Sequence, residues 1–310
     1  MILSIDFGGT RTRVGWFSET LDLLARDEDA SHTNEPPDAV IARLIDRARR
    51  VVPVGETPRA IGVCGPGPQA YTGLILNAAT LPGWNRVPLA DRISAAFGDA
   101  PTHMENDANL AALSEYHYGA ARGANPALYL TVSTGIGGGA IIDGQLFTGW
   151  RGLAIEPGHL KFPAPNGKLY SLEAFSSGTG IGRVARERLA GGDQPSSLRT
   201  VAVVDGKAVG DAAAAGDALA LSVIEEAGRW LGLGLVNLIH LFNPQVIVIG
   251  GSVVNLGDLI FTPTRQVIAE YLIDPLFNDP DLIRIAQLGD DVCLIGAALH
   301  AREKLGSVDI

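Results

Sequence analysis

Two glycine-rich turns, each preceded by an apolar run, constrain the fold of this chain more than any other feature. The first turn, Gly8-Gly9-Thr10, follows the apolar run Ile2–Asp6, and the second, residues 133–139, follows the run that begins at Ala127. Apolar residues also follow each turn, so each unit is typical of a strand, a tight turn and a second strand. The repetition predicts a duplicated architecture with a cleft between its halves.

The rest of the chain alternates short apolar runs with longer helical patterns, which predicts an α/β protein with mixed sheets. Further predicted strands are Ala60–Cys64, Gly73–Asn77, Thr102–Glu105, Val246–Ile249 and Leu282–Ala286. The predicted helices are Asp38–Val51, Leu89–Phe97, Ala108–Ala121, Leu172–Leu189, Asp217–Phe242, Leu256–Tyr271 and Val292–Lys304. The polar segment Gly191–Ala208 is predicted to be a surface excursion. A length of 310 residues suggests roughly two domains.

The formal charge of −10 limits the partners that the chain can bind. A negative field repels the phosphate backbone of a nucleic acid, so we expect no nucleic-acid partner. The charge does not exclude a single nucleotide, because backbone N–H groups and Mg²⁺ can hold phosphates without any net positive charge.

The composition also bears on compartment and metal chemistry. Cys64 and Cys293 are the two cysteines, too few for a disulfide framework or a four-cysteine zinc site. The first residues lack the basic region of a signal peptide, and charged residues interrupt the apolar segment 218–242. We therefore expect a soluble cytoplasmic protein with no membrane partner.

The first glycine turn has the chemistry of a phosphate-binding loop. Its glycines let backbone N–H groups approach an anion closely, and Thr10 and Thr12 add hydroxyl donors. Asp6 is suited to hold Mg²⁺ through water, because Mg²⁺ keeps part of its hydration shell. An ordinary Gly-Gly hairpin turn is the alternative interpretation.

The second turn, Ser133-Thr-Gly-Ile-Gly-Gly-Gly139, offers hydroxyls and glycines again. It is not a Walker A loop, since no Gly-Lys-Ser/Thr follows, and it lacks the helix that a dinucleotide fingerprint requires. A third glycine pair, Gly250-Gly251, ends a buried strand and suits the approach of a base or ribose, although a plain strand-to-loop turn is equally compatible. Two phosphate-type loops together favour nucleotide binding.

The segment Glu105-Asn-Asp-Ala-Asn109 lies where a predicted strand ends and a helix begins. Asn106 or Asp107 is suited to cap that helix. Alternatively, Asp107 presents a carboxylate that accepts a proton from a substrate hydroxyl as its oxygen attacks phosphorus. The two roles can coexist.

Glu156, His159 and Glu173 are polar residues among small and apolar neighbours. A polyol needs such groups, because each sugar hydroxyl is both a donor and an acceptor. A lone histidine is more often a hydrogen-bonded core residue, but three polar groups in this arrangement favour a sugar site.

Taken in order, these motifs resemble those of the ROK sugar kinases, which include bacterial glucokinases and the N-acetylmannosamine and N-acetylglucosamine kinases. The segments that carry the resemblance are Asp6–Thr10, Cys64–Gly67, Gly83–Asn85, Glu105–Asn109, Ser133–Gly139, Glu156–His159 and Gly250-Gly251. The resemblance extends from residue 2 to about residue 300.

The resemblance implies the two-domain actin-like ATPase fold. We expect a smaller N-terminal domain, 1–117, completed by a C-terminal helix in 292–310, and a larger domain, 118–291. The resemblance makes Asp107 the catalytic base. The implied sugar ligands are Asn85, Asn106, Asp107, Glu156, His159 and Glu173. The implied ATP-binding residues are Asp6, Gly8, Gly9, Thr10, Thr12, Thr134, Gly135, Gly137, Gly250 and Gly251, with Mg²⁺ held by Asp6 through water. The family also suggests a homodimer.

The chain departs from the family pattern at two places. Many members follow the Gly-His pair with a C-x-C-G-x-x-G-C cluster that binds zinc, whereas residues 160–173 contain no cysteine and form a shorter loop. We expect no zinc site here, which leaves His159 as a sugar ligand. Members of the repressor branch carry an N-terminal helix-turn-helix domain, which we do not expect in a chain that reaches Asp6 at once.

The sequence therefore predicts ATP-dependent phosphorylation of a hexose at its 6-hydroxyl, with glucose as the first candidate. An N-acetylhexosamine kinase of the same fold is the main alternative, because one fold hosts several substrates. A non-catalytic sugar-sensing protein and an actin- or chaperone-type ATPase are further alternatives.

Overall fold

The computed structural model describes residues 1–67, 73–77, 81, 83–163 and 167–306, with the side chains of residues 76 and 77 left aside. Contacts within the chain define two compact units. Unit 1 comprises Met1–Arg122, Leu146–Ala154 and Gln287–Ile310, and unit 2 comprises Gly123–Gln145 and Ile155–Ala286. The domain bounds expected from the sequence stay a prediction.

The described residues form strands and helices in alternation, as an α/β protein requires. The strands are β1 (Ile2–Phe7), β2 (Arg11–Phe17), β3 (Leu23–Ala30), β4 (Ala60–Gly65), β5 (Leu74–Asn77), β6 (Asn85–Pro88), β7 (Thr102–Asn106), β8 (Ala127–Val132), β9 (Ile136–Ile142), β10 (Gln145–Leu146), β11 (Lys161–Pro163), β12 (Leu169–Ser171), β13 (Val246–Gly250) and β14 (Ile283–Ile285). The α-helices are α1 (Pro37–Val51), α2 (Leu89–Ala96), α3 (Asp107–Tyr118), α4 (Leu172–Ser176), α5 (Gly178–Gly191), α6 (Gly206–Ala214), α7 (Ala218–Phe242), α8 (Asp258–Tyr271) and α9 (Val292–Gly306).

Unit 1 is built on a five-stranded mixed sheet of order β3-β2-β1-β4-β7. Strands β1 and β2 form the predicted antiparallel hairpin, whereas β4 and β7 run parallel to β1. Leu3, Ile5 and Phe7 point to one face, where they pack with residues of α1 and α2. Ser4 points to the other face and donates a hydrogen bond from Oγ to the carbonyl of Leu294 in α9, at 2.6 Å.

Helix α9 lies very close to the sheet because small residues face it. A Cβ on Gly62 of β4 would overlap with the backbone of Ala297, and one on Gly296 would overlap with the backbone of Leu110 in α3. Such close approach is possible only where side chains are minimal. The helix therefore covers the carboxyl ends of β1 and β4, where the candidate site residues begin.

Unit 2 repeats the pairing scheme of unit 1. Its five-stranded sheet has the order β10-β9-β8-β13-β14, with an antiparallel β8–β9 hairpin and with β13 and β14 parallel to β8. The repetition agrees with the duplicated architecture predicted from the two glycine turns. The core of unit 2 joins this sheet to the buried apolar side chains of α7 and α8.

One helix prediction and one loop prediction in unit 2 are wrong in their bounds. The helix predicted over Leu172–Leu189 is broken at Ser177, whose side chain accepts a hydrogen bond from the N–H of Gly180 at 3.0 Å and so caps a new helix, α5. The predicted excursion Gly191–Ala208 runs into α6, which begins at Gly206 after the capping residue Asp205. In both places a short polar side chain satisfies backbone N–H groups that periodicity alone does not reveal.

Among the described residues, no helix combines the length and the apolar character needed to cross a membrane.

The paired rings of His103 in β7 and His300 in α9 predict a pH-dependent stability. Their centroids lie 6.4 Å apart, edge to face. Burial, together with the nearby charge of Lys304 and the facing His103, lowers the pKa of His300 to about 4, against an opposing effect of Glu303. Burial likewise lowers the pKa of His103. Both rings are therefore neutral in the folded protein at pH 7.

Because unfolded His300 takes up a proton near pH 6.5, its stabilising contribution is complete above that pH and is lost as the pH falls toward about 4. We expect the free energy of unfolding, measured by urea titration, to lose up to about 3 kcal/mol through this residue. His300→Gln should weaken the dependence, whereas His32→Gln, at a residue with a 43% exposed side chain, should not. An unchanged dependence in His300→Gln would contradict the assignment.

Candidate functional site

In unit 1, three parallel strands end at the same edge of the sheet and bring polar residues together there. The register pairs Asp6 of β1 with Cys64 of β4, and Cys64 with Glu105 of β7. Residues in register on parallel strands point to the same face. The three side chains therefore form a row beneath α9, one residue before the strands end.

Asp6 is buried, with 6% of its surface exposed, and its carboxylate forms a salt bridge with an arginine side chain. Arg13, opposite it in the hairpin, donates from Nη1 to Asp6 Oδ2 at 3.1 Å. Burial raises the pKa of Asp6, while Arg13 opposes that effect. A buried carboxylate at a strand end, held by one arginine, is suited to face a hydrated cation.

The first glycine turn is closed by a hydrogen bond from Gly8 N–H to the carbonyl of Arg11, at 3.0 Å. Thr10 is exposed beside it. Thr12 is different, because it is buried and its hydroxyl lies 3.0 Å from the hydroxyl of Ser31. The turn thus presents Thr10, with Gly8 and Gly9, at its surface, whereas Thr12 contacts Ser31, the residue that follows β3.

The start of α3 separates the two roles that the sequence left open. Asn106 is the capping residue, since its Oδ1 accepts from Asn109 N–H at 2.7 Å. Asp107 is the first helical residue; its side chain is exposed, and its Oδ1 accepts from Ala108 N–H at 2.8 Å. The protein atoms around the carboxylate raise the pKa of Asp107, and that hydrogen bond opposes the rise. Asp107 is therefore an accessible carboxylate that is not needed as the cap.

Asn85 lies at the start of β6, in the antiparallel hairpin with β5, and its side chain is exposed. It is thus accessible in unit 1, although no hydrogen bond connects it with the row of strand ends among the described contacts.

In unit 2, the second glycine turn is held by Glu173. This residue lies in the first turn of α4, and its Oε2 accepts from Ile136 N–H at 2.8 Å. Gly135 lies so close that an added Cβ would overlap with the same carboxylate oxygen. One proposed sugar ligand therefore also shapes the loop that carries Thr134, Gly135 and Gly137.

The N-terminus of α5 packs against the same turn. Gly178 N–H donates to the carbonyl of Ser133 at 2.6 Å, and Thr179 N–H donates to that of Thr134 at 3.4 Å. The turn thus lies at the positive end of a helix of 14 residues, an environment that favours an anion. Thr134 is exposed there.

Glu156 precedes a short 3-10 helix, Pro157–His159, and His159 is the last residue of that helix; both residues are exposed. His159 N–H donates to the carbonyl of Glu156 at 3.1 Å. Pro157 packs against Gly138 of the second turn, where an added Cβ would come within 2.7 Å of it. Unit 2 therefore brings the Glu156–His159 segment, Glu173 and the second glycine turn into one neighbourhood.

Gly250 and Gly251 have a packing role in the structure. A Cβ on Gly250 would overlap with the hydroxyl of Tyr129. Gly251 has φ +87°, and a Cβ there would lie 2.5 Å from the carbonyl of Val132. The pair therefore ends β13 directly beside β8, the strand that leads into the second turn.

Sequence reasoning missed three residues of these neighbourhoods. Arg13 was detectable, because the hairpin register places it opposite Asp6. Ser177 precedes three residues that contain two glycines, which hid the helix start. Cys293, whose Sγ lies 3.6 Å from the carbonyl of Asp107, had no local signal, since only the folding of α9 brings it there.

Comparison with known proteins gives a consistent result over the whole chain. The model of the ROK family matches residues 2–304. A glucokinase of Thermotoga maritima is 31% identical, with 98% of each chain covered. A crystal structure of a ROK family glucokinase from Streptomyces griseus in complex with glucose and AMPPNP superposes with a TM-score of 0.78 at 30% identity, covering 97% of this chain and 99% of that one. A putative N-acetylmannosamine kinase from Listeria monocytogenes has a TM-score of 0.79 at 26% identity, with 98% and 99% covered.

The close contact between Gly135 and Glu173 predicts a coupling that a double-mutant cycle measures. Gly135→Ala should displace the carboxylate and cost about 1–3 kcal/mol of unfolding free energy, since Ile136 N–H loses a charged acceptor. Glu173→Ala loses the same hydrogen bond, so the double variant should be clearly less destabilised than the sum of the two single ones.

Gly191→Ala is the matched control, because nothing lies within 4 Å of a Cβ added at that residue. Its unfolding free energy should stay within ~0.5 kcal/mol of the original. Strict additivity of the two site substitutions would show that the contact between Gly135 and Glu173 does not shape the loop.

Proposed function

Because the chain belongs to the ROK family, we propose that it is an ATP-dependent sugar kinase that transfers the γ-phosphoryl group to the 6-hydroxyl of glucose. Its two units carry the mixed sheets of the actin-like ATPase fold that ROK sugar kinases share. Glucose is supported by the Thermotoga maritima glucokinase, related over the full length, and by the Streptomyces griseus enzyme with bound glucose and a nucleotide analogue.

The observation that carries the proposal is that different residues cap α3 and present an accessible carboxylate at its start. Asn106 caps the helix, so the carboxylate of Asp107 stays exposed and accessible to a substrate. We assign Asp107 as the general base that orients the 6-hydroxyl and accepts its proton as the oxygen attacks phosphorus. Because its pKa is raised, the Asp107 carboxylate is a stronger base than an ordinary aspartate and accepts the hydroxyl proton more readily.

The sugar ligands that the family resemblance implies are assigned here in each unit by itself. They are Asn85, Asn106 and Asp107 in unit 1, and Glu156, His159 and Glu173 in unit 2. Since Asn106 Oδ1 and Glu173 Oε2 already accept backbone hydrogen bonds, we assign Asn106 Nδ2 and Glu173 Oε1 to the sugar hydroxyls. Amide donors and carboxylate acceptors together match hydroxyls, which need both.

The nucleotide-binding residues that we propose are those of the glycine turn of unit 1 and, in unit 2, those of its glycine turn and the glycines that end β13. Gly8, Gly9 and Thr10 in the first turn, and Thr134, Gly135 and Gly137 in the second, are assigned to the phosphates. Thr12 supports the first turn through Ser31. The N-terminus of α5 contributes a favourable field at the second turn. Gly250 and Gly251 are assigned to the adenosine. They end β13, which pairs with β8, the strand that leads into the second turn.

Mg²⁺ fits the donors that the chain presents. Asp6 offers a buried carboxylate, and Mg²⁺ is typically bound by one or two carboxylates together with water and substrate phosphates. Asp6 would hold the ion through water. When bound, the ion neutralises charge on the phosphate oxygens. Arg13 keeps the Asp6 side chain in one orientation.

A specific observation favours a second substrate class, the N-acetylhexosamines. The similar structure from Listeria monocytogenes is described as a putative N-acetylmannosamine kinase. Such an enzyme would retain Asp107 and both glycine turns and would differ only in the space beside the sugar 2-position. The two classes are therefore separated by substrate, not by mechanism.

Replacement of the base should reduce turnover far more than sugar affinity. We expect Asp107→Ala to lower kcat by at least ~10²-fold, as loss of a general base does, while glucose binding partly survives because the other proposed sugar ligands remain. The measurement is coupled ADP production together with calorimetric sugar binding. Asp91→Asn, in the first turn of α2, is the matched control and should keep normal turnover. Near-normal turnover of Asp107→Ala would exclude the proposed role.

The pH dependence of the reaction should reflect the same group. Only ionised Asp107 accepts a proton, so kcat/KM should fall as the pH drops through its pKa, which lies above the usual 3.8. Asp6, whose pKa is also raised and which repels the Asp107 charge, adds to this acidic limb. An acidic limb centred at or below pH 3.8 would contradict the assignment.

A substrate panel tests the choice of sugar. Hexoses and acetamido sugars with ATP and Mg²⁺ should give the highest kcat/KM for glucose, and Glu156→Ala should raise the sugar KM with a smaller effect on kcat. A preference for an acetamido sugar would favour the second class. ATP hydrolysis that no sugar stimulates would overturn the kinase proposal.

A homodimer, a cytoplasmic location and the absence of nucleic-acid and membrane partners complete the proposal. The net charge of −10 supports the absence of nucleic-acid binding. Light scattering at several protein concentrations measures the oligomeric state.

A further inference from the structure

The two cysteines of the chain meet at the strand ends of unit 1, although they are far apart in the sequence. Cys64 lies near the end of β4 and is 2% exposed, whereas Cys293 is the second residue of α9 and is partly exposed. Their Sγ atoms and a carboxylate oxygen of Asp6 all lie within 4.8 Å of one another. We propose that Asp6, Cys64 and Cys293 form a binding site for a thiophilic divalent cation such as Zn²⁺ or Cd²⁺.

The spacing of the three ligand atoms matches the needs of such a cation. A tetrahedral ion with metal–sulfur bonds of about 2.3 Å separates its ligand atoms by roughly 3.8 Å. Atoms already within 4.8 Å of one another need to approach by only about 1 Å to reach that arrangement. Two sulfurs and one oxygen leave the fourth position for water, and sulfur ligands select soft cations over Mg²⁺.

The surrounding charges also suit the complex. Binding replaces the protons of both thiols, so one M²⁺ ion enters and two protons leave. The two thiolates and Asp6 then carry three negative charges, which the ion and Arg13, 3.1 Å from Asp6, balance. Both thiolates would also lie near the N-terminal turn of α9, whose dipole favours negative charge.

The cation has a route to the site, because Cys293 is partly exposed while Cys64 is buried behind it. The Cys293 thiol donates to the carbonyl of Asp107 at 3.6 Å. Metal binding breaks that contact beside the proposed base and draws on the carboxylate proposed for Mg²⁺. We therefore expect a soft cation to inhibit sugar phosphorylation. This consequence rests on the proposed function, but the binding itself does not.

Ultraviolet titration of the reduced full-length protein with Cd²⁺ tests the site without any assay of activity. One equivalent per chain should produce a thiolate-to-metal charge-transfer band, and Co²⁺ should give the visible spectrum of a tetrahedral ion. Cys293→Ser and Cys64→Ser should each abolish the two-thiolate band and weaken binding at least ~10-fold. His103→Gln removes a different potential ligand on β7 and should bind like the original protein.

The buried Cys64→Ser substitution could unfold the protein. The Cys293→Ser variant still tests the site in that case, because it changes a partly exposed residue. Failure to form the band, or its persistence in Cys293→Ser, would overturn the site. Turnover with glucose and Mg-ATP, measured with and without one equivalent of Cd²⁺, tests the consequence separately. Binding without inhibition would exclude competition for Asp6, whereas a protein that is inactive with glucose but still forms the band would retain the site and refute only the assignment of glucose as the substrate.

Discussion

The parallel pairing of β1, β4 and β7 is the constraint on which the chemistry of unit 1 depends. Its register aligns Asp6 with Cys64 and Cys64 with Glu105, and the next turn of chain supplies Asn106 and Asp107. A shift of one residue would turn each of these side chains to the opposite face of the sheet. The close seating of α9 on Gly62 stabilises this register, since no bulkier residue would allow that contact.

In unit 2, hydrogen bonds from outside the glycine turn hold the proposed phosphate loop in place. This turn would be a pliable loop without the acceptor that Glu173 supplies to Ile136 and the N–H groups that α5 supplies to Ser133 and Thr134. A loop that is already held in place loses less conformational freedom when it binds an anion. The same carboxylate is assigned to the sugar. The side chain of Glu173 would therefore contact both the bound sugar and the proposed phosphate loop.

Much of this arrangement was predictable from particular residues. The two hairpins followed from apolar runs on both sides of glycine turns, and the start of α3 followed from Asn106 and Asp107 after a strand. The break at Ser177 was missed, because hydrophobic periodicity does not reveal the capping hydrogen bond that Ser177 accepts from Gly180 N–H. Strands β3 and β6 also lacked an apolar signal in the sequence, since the residues of both are largely exposed.

The sequence by itself determined the repeated strand–turn–strand units, the family resemblance and the residue types available for catalysis, because these depend on local spacing and chemistry. Only the tertiary structure decided that Asn106, not Asp107, caps α3, that Thr12 bonds to Ser31, and that Cys293 joins Cys64 and Asp6. The cap is a local contact, but Asn106 and Asp107 are both residue types that can form it. The other two outcomes depend on which atoms meet after segments far apart in the chain pack together, and such contacts leave no periodic trace in the residues that form them.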